Sequence, residues 1–113
     1  MLNLTDVFDE VRIVNLPHRV DRKAEIEIQL GRLGLDWSSA GVSIFHAKQP
    51  TDSGDFPSIG SRGCFLSHLT ILQEAVEKSS NKILIIEDDL DFCKGVLSRL
   101  DTILRALEET DWS

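Results

Sequence analysis

Four consecutive apolar residues, Ile-Leu-Ile-Ile at positions 83–86, run directly into three acidic residues at 87–89. A short, uninterrupted apolar run of this kind is typical of a strand that other elements cover on both faces. Such strands belong to parallel sheets, in which helices connect the strands and pack on the sheet. This run therefore favours an α/β architecture.

The rest of the chain alternates between strand-like and helix-like segments. Residues 11–15 and 42–45 are short strand-like runs, and residues 49–60 have the Pro, Ser and Gly content of a loop. Helical spacing of apolar residues predicts a helix that Asp21 caps and Gly34 ends, and further helices over residues 62–78 and 94–109. The order β-α-β-α-β-α predicts a three-layer α/β/α fold with a mainly parallel sheet and right-handed crossovers.

Length and charge limit the function classes. The 113 residues, 42% of them hydrophobic, suffice for one domain with a single core, over residues 1–113. The net charge of −7 disfavours nucleic acid and anionic membranes as partners, whereas ordinary solubility accounts for it more simply than cation binding does. With no apolar run long enough for a membrane span and no signal-peptide pattern, we expect a soluble, cytoplasmic protein.

Cys64 and Cys93 have no zinc-site or disulfide spacing, and we expect reduced thiols.

Polar and charged residues follow each predicted strand, at positions 15–19, 46–48 and 87–89. Ligands of open parallel sheets bind beyond the carboxyl ends of the strands, where these three segments would meet. The sequence therefore predicts a binding site at this rim.

The acidic run offers candidate metal ligands. Adjacent carboxylates repel one another unless a cation, an arginine or raised pKa values relieve them. Glu87, Asp88 and Asp89 suit Mg2+ or Mn2+, with the phosphates of a nucleotide completing the coordination. If the strand continues through Asp89, Glu87 and Asp89 share one side of it. A solvated acidic turn, or a helix N-cap series that includes Asp91, is the open alternative.

Three segments in register carry a family resemblance: Val-Asn-Leu-Pro-His-Arg-Val-Asp-Arg at 14–22, Gly-Cys-Phe-Leu-Ser-His at 63–68, and Leu-Ile-Ile-Glu-Asp-Asp at 84–89. Their order and intervals resemble glycosyltransferase family 25, the lipopolysaccharide-type galactosyltransferases and their collagen-modifying relatives. The resemblance implies a nucleotide-diphospho-sugar transferase (GT-A) type of fold. It also implies an inverting transfer from a nucleotide-sugar donor, commonly UDP-linked, to a glycan such as lipopolysaccharide, with a divalent cation at residues 87–89.

The resemblance assigns roles to residues of the first segment. It places Asn15 and Leu16 against the nucleotide base and ribose. It places Arg19 and Arg22 near phosphate, whose oxygens match the planar fork of a guanidinium. For Arg22 a salt bridge within its own helix, to Glu25 or Glu27, remains open as the alternative.

The second segment contributes Gly63 and His68. Gly63 is expected to allow close backbone approach where the helix begins, with the amides of that first turn near an anion. Ser67 and His68 resemble the Ser-His pair of the family, which makes His68 a candidate to contact the donor or a rim group. A packing role for His68 between its leucine neighbours is the alternative.

Two departures from the family limit these expectations. Ser61 and Arg62 stand where many members have Glu-Ile, and the chain is shorter than most members. We therefore expect the N-terminal half of a longer family fold, or a short relative, and we assign no residue as the catalytic base. The unpaired sheet edge of such a half predicts self-association into a homo-oligomer.

Two other function classes stay open. One is a non-catalytic nucleotide-sugar binding module or remnant. The other is a receiver-like signalling domain, because residues 83–89 also resemble the opening strand and acidic pair of a receiver. Position argues against the receiver, since a receiver needs a longer segment after that pair than this sequence has.

Overall fold

The computed structural model describes residues 2–92 and 95–110. The elements along the chain are α1 (Leu4–Val7), β1 (Glu10–Asn15), α2 (Val20–Arg32), β2 (Val42–His46), α3 (Ile59–Glu77), β3 (Ile83–Glu87) and α4 (Val96–Glu109). The three strands form a parallel sheet in the order β2-β1-β3. The predicted α/β fold with a parallel sheet is thereby confirmed.

Strand β1 lies at the centre of the sheet and is buried along almost its whole length. Its side chains alternate between the two faces, as a strand requires. Val11 and Ile13 pack with α1, α2 and α4 on one face, whereas Val14 packs with Phe45 and with Ile71 of α3 on the other. The helices thus form a layer on each side of the sheet.

Strand β3 is the outer strand of the described sheet, next to β1. Ile86 is buried, but residues 83–85 are only half-buried. The prediction that this run is covered on both faces therefore holds only in part, and β3 has one strand neighbour among the described residues.

The start of α2 differs from the prediction. Arg19, and not Asp21, is the N-cap residue, and it makes no side-chain cap hydrogen bond. Asp21 instead lies in the first turn, where a carboxylate interacts favourably with the helix dipole. The predicted glycine stop is confirmed, since Gly34 has a φ of 72°, in the left-handed region that glycine adopts readily.

Helix α3 begins at Ile59, earlier than the predicted residue 62, because the Ser58 hydroxyl accepts a hydrogen bond from the Ser61 amide and caps the helix. The one-turn helix α1, with a capping box between Asn3 and Asp6, was not predicted. The predicted first residue of the last helix, Lys94, lies outside the described residues. Within the described ranges, no helix combines the length and apolarity needed to cross a bilayer.

Candidate functional site

The carboxyl ends of all three strands lie at one edge of the sheet, with Asn15 beside His46 and Val14 beside Glu87. A cleft of about 380 Å³ opens at this edge. Four of the predicted site residues line it: Leu16, Gly63, Glu87 and Asp88. The polar rim predicted from the strand ends is therefore also the rim of a cleft.

Asn15 is buried and links the central strand to the acidic segment. Its side-chain amide donates one hydrogen bond to Asp88 Oδ2, at 2.9 Å, and another to the backbone carbonyl of Arg19, at 3.3 Å. Only 3% of Asn15 is exposed, so these partners satisfy an amide that solvent barely reaches. Contact of Asn15 and Leu16 with a base and ribose stays a prediction.

The acidic segment turns as soon as the strand ends. The amide of Leu90 donates to the carbonyl of Glu87 at 3.2 Å, which closes a turn over Asp88 and Asp89. The strand therefore does not continue through Asp89, and the shared side predicted for Glu87 and Asp89 on that condition does not arise.

Asp88 and Asp89 instead approach one guanidinium. Arg22 Nη1 lies 4.0 Å from Asp88 Oδ1 and 3.8 Å from Asp89 Oδ2. The ion pairs of Arg22 among the described residues thus cross from α2 to the acidic turn, and the alternative of a bridge to Glu25 or Glu27 is wrong. The arginine relieves part of the repulsion between the adjacent carboxylates.

Glu87 is directed the other way, toward α3. Its Oε1 lies 2.8 Å from His68 Nε2 and 3.8 Å from Cys64 Sγ. Since a carboxylate only accepts hydrogen bonds, the His68 ring nitrogen and the Cys64 thiol are the donors. His68 was expected to contact either the donor or a rim group, and it contacts the rim group Glu87.

Cys64 is an exposed residue whose sulfur is partly shielded from solvent. This partial burial, together with the nearby Glu87 carboxylate, raises the pKa of the thiol. Each effect disfavours the thiolate. The second cysteine, Cys93, lies outside the described residues.

Gly63 and Ser67 hold α3 against the segment that follows β2. A Cβ at Gly63 would lie 2.7 Å from the carbonyl oxygen of Lys48, so the close backbone approach expected there is present. The buried Ser67 hydroxyl accepts from the Lys48 amide at 2.9 Å and donates to the Gly63 carbonyl at 2.7 Å. Gly63 is not in the first turn, however, because α3 begins at Ile59, and the prediction that its turn offers free amides is wrong.

Arg19 lies at the beginning of α2 and makes a bidentate ion pair with Asp21. Its Nε and Nη2 donate to the two carboxylate oxygens at 3.0 and 2.9 Å. The hydrogen bond from Arg19 lowers the pKa of Asp21 to about 2. A phosphate contact by Arg19, which stays a prediction, would have to replace this carboxylate.

Sequence reasoning did not select two basic groups that line the cleft, His18 and Lys48. Their position in the rim segments 15–19 and 46–48 was the available indication. It could not show which of those side chains face inward, because the turn after each strand decides that.

The model of glycosyltransferase family 25, described as an LPS biosynthesis protein, matches residues 8–112. Procollagen galactosyltransferase 1-B of Xenopus laevis is 31% identical over 93% of this chain and 20% of its own length. Procollagen galactosyltransferase 2 of Homo sapiens is 29% identical over the same shares. Inactive glycosyltransferase 25 family member 3 of Homo sapiens is 31% identical over 89% of this chain and 20% of its own length.

The chain thus spans about a fifth of the length of the curated relatives it matches. No solved structure gives a significant match. The family model covers nearly the whole α/β domain, including all three strand ends and the cleft between them. The chain belongs to glycosyltransferase family 25.

Proposed function

We propose that this domain binds a nucleotide-sugar donor in the cleft at the strand ends and serves the transfer of the sugar to a glycan acceptor. The observation that carries the proposal is the acidic turn beside the cleft. Asp88 lines the cleft, and Asn15 and Arg22 hold the turn from two sides. A fixed pair of carboxylates next to basic groups suits a metal-bound diphosphate.

A divalent cation fits the donor set. The carboxylates of Asp88 and Asp89 already approach a common positive group, the Arg22 guanidinium. Hard oxygen ligands of this type suit Mg2+ or Mn2+. Glu87 belongs to the same acidic run, but its carboxylate is directed toward α3, so Asp88 and Asp89 are the ligands we propose. Such a cation would supply charge neutralisation for the diphosphate that leaves the sugar.

The basic groups of the rim have a matching role. Lys48 and His18 line the cleft, and Arg22 lies beside the acidic turn. Positive groups aimed at a diphosphate stabilise the charge that develops on it as the bond to the sugar breaks. We propose that Arg22 exchanges its carboxylate partners for phosphate oxygens when the donor binds, because phosphate accepts the same forked hydrogen bonds.

We propose UDP-galactose as the first donor to test, because relatives of this chain are named galactosyltransferases. The family description suggests lipopolysaccharide as the acceptor, and the names of the relatives suggest procollagen. We favour a glycan such as lipopolysaccharide, which the family resemblance of the sequence also implies.

Isothermal titration calorimetry of the chain with UDP-galactose, with and without Mn2+, tests donor binding. We expect one site whose affinity rises with Mn2+ or Mg2+ and which UDP alone also occupies. Binding that is absent, or equally strong in EDTA, would contradict the proposal. GDP is the matched control for UDP, because the two differ only in the base, and GDP should bind more weakly.

A non-catalytic nucleotide-sugar binding module is the second candidate. The observation that favours it is that a relative named inactive matches this chain with the same identity as a named transferase. A radiolabelled UDP-galactose assay separates the two candidates. Metal-dependent release of galactose to water or acceptor supports the transferase, whereas binding without release supports the module.

A further inference from the structure

We propose that Cys64, His68 and Glu87 form a binding site for a thiophilic divalent cation such as Zn2+, separate from the Mg2+ or Mn2+ site proposed at the acidic turn. Sγ, Nε2 and a carboxylate oxygen of these residues lie within 4.8 Å of one another. The site does not depend on a nucleotide sugar and goes beyond the proposed transferase function.

Helix α3 and strand β3 supply the three ligands, two from the helix and one from the end of the strand. Cys64 and His68 are four residues apart on α3, so their side chains lie on one face of the helix. Glu87 is the last residue of β3, and its Oε1 is 2.8 Å from His68 Nε2 and 3.8 Å from Cys64 Sγ. Around a tetrahedral zinc ion, ligand atoms lie about 3.3–3.6 Å apart. Small rotations of these three side chains would bring them to that geometry.

The backbone around the site is fixed before any cation binds. The buried Ser67 lies between the two ligands of α3 in sequence. Its hydroxyl accepts from the Lys48 amide, which ties the helix to the segment after β2, and donates to the Gly63 carbonyl within the helix. Glu87 pairs in register with Val14 of the central strand. Binding therefore requires side-chain motion only, which lowers the entropic cost of forming the site.

The ligand chemistry separates this site from the acidic turn. A thiolate and an imidazole prefer Zn2+ or Co2+, whereas carboxylates alone suit Mg2+ and Mn2+. Three protein ligands leave a fourth tetrahedral position for water. Cys64 and Glu87 both line the cleft, so that position is accessible to solvent.

Co2+ titration of the reduced, full chain tests the proposal, because a thiolate ligand gives a near-ultraviolet charge-transfer band and a tetrahedral site gives visible d–d bands. We expect both bands to saturate at one equivalent, to disappear on addition of Zn2+, and to persist in a large excess of Mg2+. Cys64→Ser should abolish the charge-transfer band. His68→Gln and Glu87→Gln should each weaken Co2+ binding at least tenfold.

Two controls keep the test specific. Cys93→Ser should retain the bands, which separates Cys64 from the second thiol. Asp89→Asn should also retain them, which separates this site from the acidic turn. Circular dichroism checks that each variant is folded, and a conservative Cys64→Ala replaces Cys64→Ser if the serine variant is not. A chain without the bands, or bands that survive removal of the Cys64 thiol, would overturn the proposal, while UDP-galactose binding would be unaffected by that outcome.

Discussion

The side-chain amide of Asn15 donates to Asp88 Oδ2 at 2.9 Å and so joins two residues that are 73 positions apart in the chain. This bond connects the central strand to the acidic turn. Asn15 is buried, so removing its amide takes away a hydrogen bond to Asp88 at a place that solvent barely reaches, and leaves the Arg22 guanidinium, 4.0 Å away, as the ion-pair partner of Asp88.

Asn15→Ala should therefore lower the free energy of unfolding by about 1–3 kcal/mol, as measured by urea denaturation. Asn15→Asp has nearly the same shape and should be at least as destabilising, because it places a carboxylate against Asp88. Wild-type stability in both variants would mean that the bond does not hold the turn.

Asp89→Ala should abolish the Mn2+ dependence of UDP binding and leave the fold intact, because it removes a proposed ligand and one of three adjacent negative charges. Calorimetry with UDP, with and without Mn2+, measures the effect. Glu77→Ala, an exposed carboxylate at the far end of α3, is the charge-matched control and should bind as the wild type does. Unchanged metal dependence in Asp89→Ala would exclude Asp89 as a ligand.

Arg19→Ala should weaken UDP-galactose binding about tenfold or more if its guanidinium contacts phosphate. Asp21→Ala breaks the same ion pair but keeps the guanidinium, and it should bind the donor at least as well as the wild type. If both variants lose melting temperature equally and neither loses affinity, Arg19 only supports the start of α2.

Gly63→Ala should cost about 1–3 kcal/mol of stability, because the new methyl group would meet the Lys48 carbonyl at 2.7 Å and force the helix or the segment to move. Gly31→Ala is the matched control within α2, where nothing lies within 4 Å of the added carbon. It should be neutral or stabilising, by up to about 1 kcal/mol. Thermal unfolding compares the two, and equal stability of both variants would contradict a tight contact at Gly63.

Stability should fall in acid partly through Asp9. Its carboxylate accepts hydrogen bonds from the backbone amides of Lys82 and Asn81, which lower its pKa below the usual 3.8. A lowered folded-state pKa means that the stabilisation is complete above the unfolded value of 3.8 and is lost as the pH falls below it and through the folded one. Asp9→Asn should flatten the decline of melting temperature in that window. Parallel profiles for both proteins would show that Asp9 makes no such contribution.

The regular elements were predictable because they depend on local patterns. Among the described residues, the β-branched runs and the helical spacing of apolar residues placed all three strands and three of the four helices. The helix starts were less predictable, since α3 depends on a single hydroxyl, that of Ser58, in a segment whose glycines and prolines favoured a loop.

The sequence predicted that the candidate site lies at the carboxyl ends of the strands, but it did not predict which side chains contact one another there. The direction of Glu87 depends on two residues of α3, Cys64 and His68, that lie about twenty positions earlier. Arg12 illustrates the same limit, because most partners of this charge in the central strand come from elsewhere in the fold. Glu74 lies 3.2 Å away and the ring of Phe45 lies beneath the guanidinium, whereas Glu10, 3.8 Å away, belongs to the same strand. No local pattern encodes partners that only the tertiary fold supplies.

The position of β3 in the sheet determines how the domain opens. β1 is hydrogen-bonded to strands on both sides and is almost fully buried, whereas β3 pairs only with β1 in the described sheet and is half-buried along residues 83–85. Protection against amide hydrogen exchange should therefore be highest in β1 and decline toward β3. Because Glu87 ends that less protected strand and Asp88 follows it, these two carboxylates of the cleft lie on the side of the described sheet with the least strand pairing, whereas Asn15 ends the most protected strand.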